Sequence, residues 1–388
     1  MASLQLPRGA RSKDWRKKSV RPFAEPALSL LRCPTAPYVE NLPLAFIWQW
    51  AKEHDWKVKA DAAGNLIVTV PGKKRGKPSV ALLAHLDHPA MQVERVTEEG
   101  LVHAAFYGGH PGSRMVSGKV RLFHPESGDG PLRAEVVGVG KKDAKTGRLP
   151  LQLKMMGRGE VQGGWLGEWD VPYGLTQKTI RNVVCDNLAG AATILASMAL
   201  AQKNGLDRPV QAWFTRCEEN GFVGCLEGLR LGSFSPDTPT IVLECSPQLP
   251  SALPGDGPVL RVGDRSSVFD AELCESLRLA ALELEKKVPG FQWQRKLMDG
   301  GSCEATALCA DGRRAVCLAM PLRNYHNVPD DRTCQGPRAE EIDREDQEAL
   351  VLWIATLCLN PSLFQKRRAD VAARLEKIRK NRSSALYT

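Results

Sequence analysis

Short apolar runs that end in a histidine or an acid recur through this chain. Val80 to Ala84 is followed by His85 and Asp87, and Val183 to Cys185 by Asp186. Ala212 to Thr215 leads to Glu218 and Glu219, Ile241 to Leu243 to Glu244, and Cys317 to Met320 to His326. Runs this short read as buried strands, whereas Val39 to His54, Leu188 to Ala201, Ala271 to Lys287 and Asp343 to Leu359 read as helices. Strands alternating with helices predict an α/β domain, a mainly parallel mixed sheet sandwiched by helices. Ligands of such sheets bind beyond the carboxyl ends of the strands. That is where these seven polar residues fall.

From Gln92 to Lys178 the texture changes. Short apolar runs such as Val120 to Phe123, Ala134 to Val139 and Leu149 to Met155 alternate with Gly, Pro, Ser and Asp, and no helical period is sustained. This predicts a small β-barrel inserted into the α/β domain. The expected organisation is a basic disordered tail over 1–25, a split α/β domain over 26–91 and 179–365, the inserted barrel over 92–178, and a second basic tail over 366–388.

The formal net charge of +9 sits at the ends. Residues 1–21 and 366–382 each carry +6, which leaves the body at −3. The body is therefore no phosphate-binding surface, and nucleic acid is not an expected partner. No apolar stretch reaches the roughly 20 residues of a membrane span. No apolar segment follows the basic start, so a secretory signal is not expected, and a plain tail fits better than a transit peptide. The eleven Cys form no CxxC pair. They read as free thiols of a reducing, cytoplasmic compartment.

Each strand-end residue alone has an ordinary explanation: a core histidine, a helix cap at Asp186, a surface pair at Glu218 and Glu219. Together at one sheet edge they read as a metal site. Three carboxylates (Asp186, Glu219, Glu244) with one bridging hydroxide balance two divalent cations, and the neutral imidazoles of His85 and His326 complete the donor set. Asp87, two residues past His85, can orient its imidazole. Glu218 is left free to act as general base and acid.

The segments His85-Leu-Asp87, Cys185-Asp186-Asn187, Cys217-Glu218-Glu219-Asn-Gly221, Glu244 and Arg323-Asn-Tyr-His326 resemble, in order and spacing, the co-catalytic zinc aminopeptidases, the glutamyl and tetrahedral aminopeptidases and cellulase-M-like proteins among them. Asp61-Ala-Ala-Gly-Asn65 and Gly300-Gly301-Ser302 fit the same pattern, and the similarity spans roughly residues 27 to 360. The resemblance implies one metal on His85, Asp186 and Glu244 and another on Asp186, Glu219 and His326, with Asp186 bridging. It implies Glu218 as catalytic base, Asp87 as orienter, and the barrel as a dimerisation domain of a homo-oligomer. The expected activity is removal of N-terminal residues from peptides by metal-bound hydroxide. Zinc is the expected metal, with cobalt and manganese compatible.

Three positions depart from the family pattern. His88-Pro89-Ala90 replaces a usual acid and glycine, Glu244 stands for a more frequent Asp, and Glu304 follows the Gly-Gly turn in place of Asp. His88 reads as a rim residue, with an extra ligand or a substrate contact as the alternatives. Two other functions fit the same residues less well. One is a zinc-dependent deacylase or carboxypeptidase on this scaffold; the other is a non-catalytic binding protein that uses its basic tails.

Overall fold

The computed structural model describes residues 4–331, 333–365 and 369–382. Four parallel strands form the centre of an eleven-stranded sheet, in the order Val210–Thr215, Ala81–His85, Thr240–Pro247, Ala315–Arg323. Both faces of these strands are covered, so they are written as continuous apolar runs rather than as an alternation. The flanks are antiparallel. Leu66–Val70 and Lys57–Ala60 extend one side, and Glu340–Asp343, Thr179–Asn182 and Gly174–Leu175 the other. The parallel order predicted from strand–helix alternation thus holds at the centre, where crossover helices enforce it; tight turns allow the antiparallel flanks. In the Asp61–Asn65 turn the Asp61 carboxylate accepts the Ala63 and Asn65 N–H groups, and Gly64 adopts φ +83°.

The run Val183 to Cys185 is not a strand. The strand Thr179–Asn182 stops before it, and the helix Cys185–Lys203 begins there. That helix is buried continuously from Cys185 to Ala201. It lies on the strands Ala81–His85 and Thr240–Pro247 and packs against Arg344–Leu359, whose residues are also almost all buried. A helix covered on every side must be apolar on every side, which accounts for its Ala- and Leu-rich sequence.

Between Ala90 and Trp169 a closed antiparallel barrel interrupts the α/β domain. Its strands are ordered Ala90–Val96, Leu101–Tyr107, Leu149–Met155, Leu132–Val139, Lys119–Phe123, Leu166–Trp169. Val102, Ala104, Phe106, Val120, Leu122, Ala134, Val136, Leu151 and Leu153 are buried, the two-residue period of strands with an inner and an outer face. All eleven cysteines are free, and most are buried.

The N-terminal segment departs from the expected disordered tail. It forms a helical turn over Arg16–Val20 and the helix Arg21–Ala27, with Ala10, Trp15, Val20, Ala24 and Ala27 buried in the main core. The Trp15 indole donates to the Pro289 carbonyl at 2.9 Å, and Arg21 pairs with Glu348 at 2.7 Å. The basic residues hid an apolar set that packs, because long cationic side chains flank buried positions without entering them. At the other end, Ala369–Arg382 is helical.

Trp15→Ala is expected to lower unfolding stability by about 3–5 kcal/mol, and deletion of residues 1–25 to lower it further. A denaturant midpoint unchanged by either would contradict this packing.

Candidate metal centre

The carboxyl ends of the central strands converge on one cleft. His85 ends its strand, Glu244 lies in Thr240–Pro247, and Glu218 and Glu219 follow Val210–Thr215. Asp186 sits in the first turn of its helix with non-helical dihedrals (φ −85°, ψ 105°), and His326 holds a left-handed φ of 56° just past Ala315–Arg323. A left-handed non-glycine residue such as His326 is found where a side chain must be aimed.

All seven residues named from sequence lie together. The two Asp186 oxygens face different histidines: Oδ1 is 3.5 Å from His85 Nε2, and Oδ2 is 3.6 Å from His326 Nε2. Glu244 Oε2 lies 3.6 Å from His85 Nε2, and Glu219 Oε1 lies 3.0 Å from His326 Nε2. Three donor groups each close to within 4.8 Å: His85, Asp186 and Glu244; Asp186, Glu219 and His326; and His85 with Glu218 and Glu219. Asp186 Oδ1, Glu244 Oε1 and His326 Nε2 are buried without a hydrogen-bond partner. Buried polar atoms in native proteins are almost always paired, so unpaired carboxylate and imidazole atoms facing one another fit divalent cations.

Electrostatics agree. Burial alone would lower both imidazoles, but the Glu218 charge raises His85 well above the usual range, and the Glu219 charge does so for His326. Burial raises Glu219 and Glu244, while Asp186 is held low against its burial by the facing imidazoles of His326 and His85. So much acid in one dry pocket is costly without cations.

The centre has the fold context that its residues lead one to expect. The M42 glutamyl aminopeptidase family matches residues 170–330. The TET1 peptidase of Pyrococcus horikoshii is 19% identical, with 87% of this chain and 99% of that chain covered at a TM-score of 0.70. A TET aminopeptidase from a marine-sediment Thaumarchaeota archaeon is 17% identical, with 88% and 98% covered at 0.71. An endoglucanase of Thermotoga maritima is 17% identical, with 87% and 98% covered at 0.65. This chain is a metallopeptidase that resembles the M42 family.

Several contacts in the metallopeptidase differ from what its sequence suggested. His85 Nδ1 lies nearest the Asp87 backbone carbonyl, at 3.1 Å, and 3.5 Å from its carboxylate. The Asp87 carboxylate instead accepts the N–H groups of Glu218 at 2.9 Å and Glu219 at 3.0 Å. It holds the strand-end turn that carries both acids. His88 is fully buried rather than at the rim. Its ring lies between the Asp186 carbonyl and Asn327 Oδ1, and burial pushes its pKa down to about 4.

Glu340 escaped the sequence reading. Fully buried, it accepts the Asp186 N–H on one oxygen and the His326 N–H on the other, both at 2.8 Å. Nothing in the Glu340-Glu341 pair separates it from surface acids except its place in a short strand. Glu304 is buried with both oxygens unpaired, and burial pushes it up to about 8.

Glu340→Ala leaves two buried N–H groups without an acceptor, a cost of about 2–5 kcal/mol. Divalent-cation affinity should fall about 10- to 100-fold with it; isothermal titration alongside urea unfolding checks both. Glu304 is neutral when folded and ionises near 4.5 when unfolded, so its contribution is lost as pH rises from about 4.5 towards 8. Glu304→Gln should therefore gain stability at pH 7 relative to pH 4.5, by up to about 3 kcal/mol. Parallel pH profiles for the two proteins, measured with chelator present, would refute this.

Proposed function

We propose that this protein is a dinuclear metal-dependent aminopeptidase that removes N-terminal residues from peptides. The observation that carries the reading is Asp186, with one oxygen facing His85 and the other His326. A carboxylate so placed suits two cations side by side, one with His85 and Glu244, the other with Glu219 and His326. Zinc fits the mixed nitrogen and oxygen donors, as do cobalt and manganese. Bound cations of this kind polarise a carbonyl oxygen and lower the pKa of a bound water.

The remaining residues supply binding and proton movement. Glu218 lines a cleft beside His85, Asp186 and Glu244. It belongs to neither cation set of the dinuclear arrangement, so its carboxylate is free to take a proton from the attacking water and give it to the leaving amine. Burial raises the Glu218 carboxyl; His85 pulls it down, and Glu219 and Glu244 push it up further. That balance suits a group that must both accept and release a proton. Asp87 fixes the turn on which Glu218 sits. The excess of carboxylates favours the ammonium of a free N-terminus.

Arg261 is a cation in the cleft wall. It is buried, its Nη1 donates to Ser246 Oγ at 3.0 Å, and its Nε has no hydrogen-bond partner. Oligomeric TET peptidases, one forming a tetrahedron or an octahedral shell, support a homo-oligomer; dimer contacts through the barrel are what the family resemblance implies for it. The free thiols support a cytoplasmic location.

Glu218→Gln should cut kcat about 10²- to 10⁴-fold while cation binding stays intact. Activity on a dipeptide panel should depend on a free N-terminus and vanish with chelator. Retained turnover in the variant, or cleavage of N-acetylated peptides from the carboxyl end, would remove this assignment.

A further inference from the structure

The two cation positions draw on different parts of the chain. His85, Asp186 and Glu244 all come from the sheet and the helix that covers it. Glu219 and His326 also lie in the α/β domain, yet His326 itself and Asn220, the residue after Glu219, are touched by the barrel. The His326 Nδ1 lies 2.7 Å from the Gly109 carbonyl, in the loop that follows the barrel strand Leu101–Tyr107. A carbonyl can only accept, so this contact places the ring proton on Nδ1 and leaves Nε2 as the donor atom that faces Asp186 and Glu219. Beside Glu219, the Asn220 amide donates to the Thr146 carbonyl of a second barrel loop at 3.1 Å and to the Tyr38 hydroxyl at 2.7 Å.

The loops are built for this approach. A Cβ on Gly109 would lie 2.9 Å from His326 Nδ1 and 3.2 Å from Cε1. A Cβ on Gly108 would meet Pro89 at 2.6 Å, and one on Gly147 would meet Asn220 Oδ1 at 2.0 Å. Glycine at these points lets barrel backbone come up against the centre. His110 anchors the first loop, its ring 5.4 Å from Trp169 inside the barrel, and Lys142 donates to the Gly108 carbonyl at 3.0 Å.

We propose that the inserted barrel is a structural part of the second cation position, with Gly109 as a positioning residue for His326 and the Thr146 carbonyl as a tether for the Glu219 turn. The proposal rests on the two-cation reading above. It gives the barrel a role within one protomer, separate from any contact between protomers. Disturbing the barrel loops weakens one cation position and spares the other.

Gly109→Ala tests it well, because the Gly109 φ lies outside the left-handed region and an alanine there meets only the His326 ring. Zinc or cobalt titration of the starting protein should show two sites. In Gly109→Ala one site should keep its affinity, and the other should weaken about 10- to 100-fold. The downfield imidazole N–H signal of His326 in proton NMR should be lost, with the thermal midpoint little changed. Asn220→Ala, at a partly exposed position, should give the same selective loss in smaller measure and serves as the second variant. Two unchanged sites in both variants, or equal weakening of both sites, overturns the proposal. A starting protein that binds fewer than two cations overturns the two-cation reading itself, and is seen before any variant is made.

Discussion

The structure depends on holding acid in a place that water does not reach. Asp87, Asp186, Glu218, Glu244, Glu304 and Glu340 are all buried, at or just behind the carboxyl ends of four parallel strands. An unpaired carboxylate in such a pocket is costly, and this chain meets that cost in two ways. Asp87 and Glu340 spend their oxygens on backbone N–H groups, two each. Asp186 and Glu244 instead keep an oxygen with no protein partner. The first pair hold the scaffold; the second are free to bind a cation. Hydrogen bonding thus separates these two pairs where burial does not, while Glu304, with both oxygens unpaired, is pushed up to about 8 and keeps its proton.

That division also explains what could be read from the sequence. The seven residues from His85 to His326 stood out because each follows an apolar run, and the parallel sheet puts the ends of such runs in one place. Residues whose work is done on backbone amides carry no such mark. Glu340 looks like any acid in a charged stretch, and the carboxylate of Asp87 turned out to hold the Glu218 turn more directly than the His85 ring. His88 read as a rim residue because no apolar run leads up to it, yet its two ring nitrogens face the Asp186 carbonyl and the segment just beyond His326. The N-terminal segment failed differently. Its charge count was right, but Trp15 and the apolar positions after it matter more to where the chain goes than the cations between them.

The barrel was legible as an insertion and not as a neighbour of the centre. Its strands are set by a local alternation, whereas its contact with His326 joins residues more than two hundred positions apart. Where the insertion begins makes the contact intelligible. The barrel opens at Ala90, a few residues beyond His85, so the loop after its second strand returns beside the strand end that carries the centre. A domain inserted so close to the ligands cannot be indifferent to them: any rotation of the barrel moves the Gly109 carbonyl against the imidazole of His326. On the proposed two-cation reading, cation binding at the second position and the posture of the barrel are two ends of one linkage. By reciprocity, whatever holds the barrel in the posture that bears on His326 would strengthen that position by as much as the cation strengthens the barrel's hold.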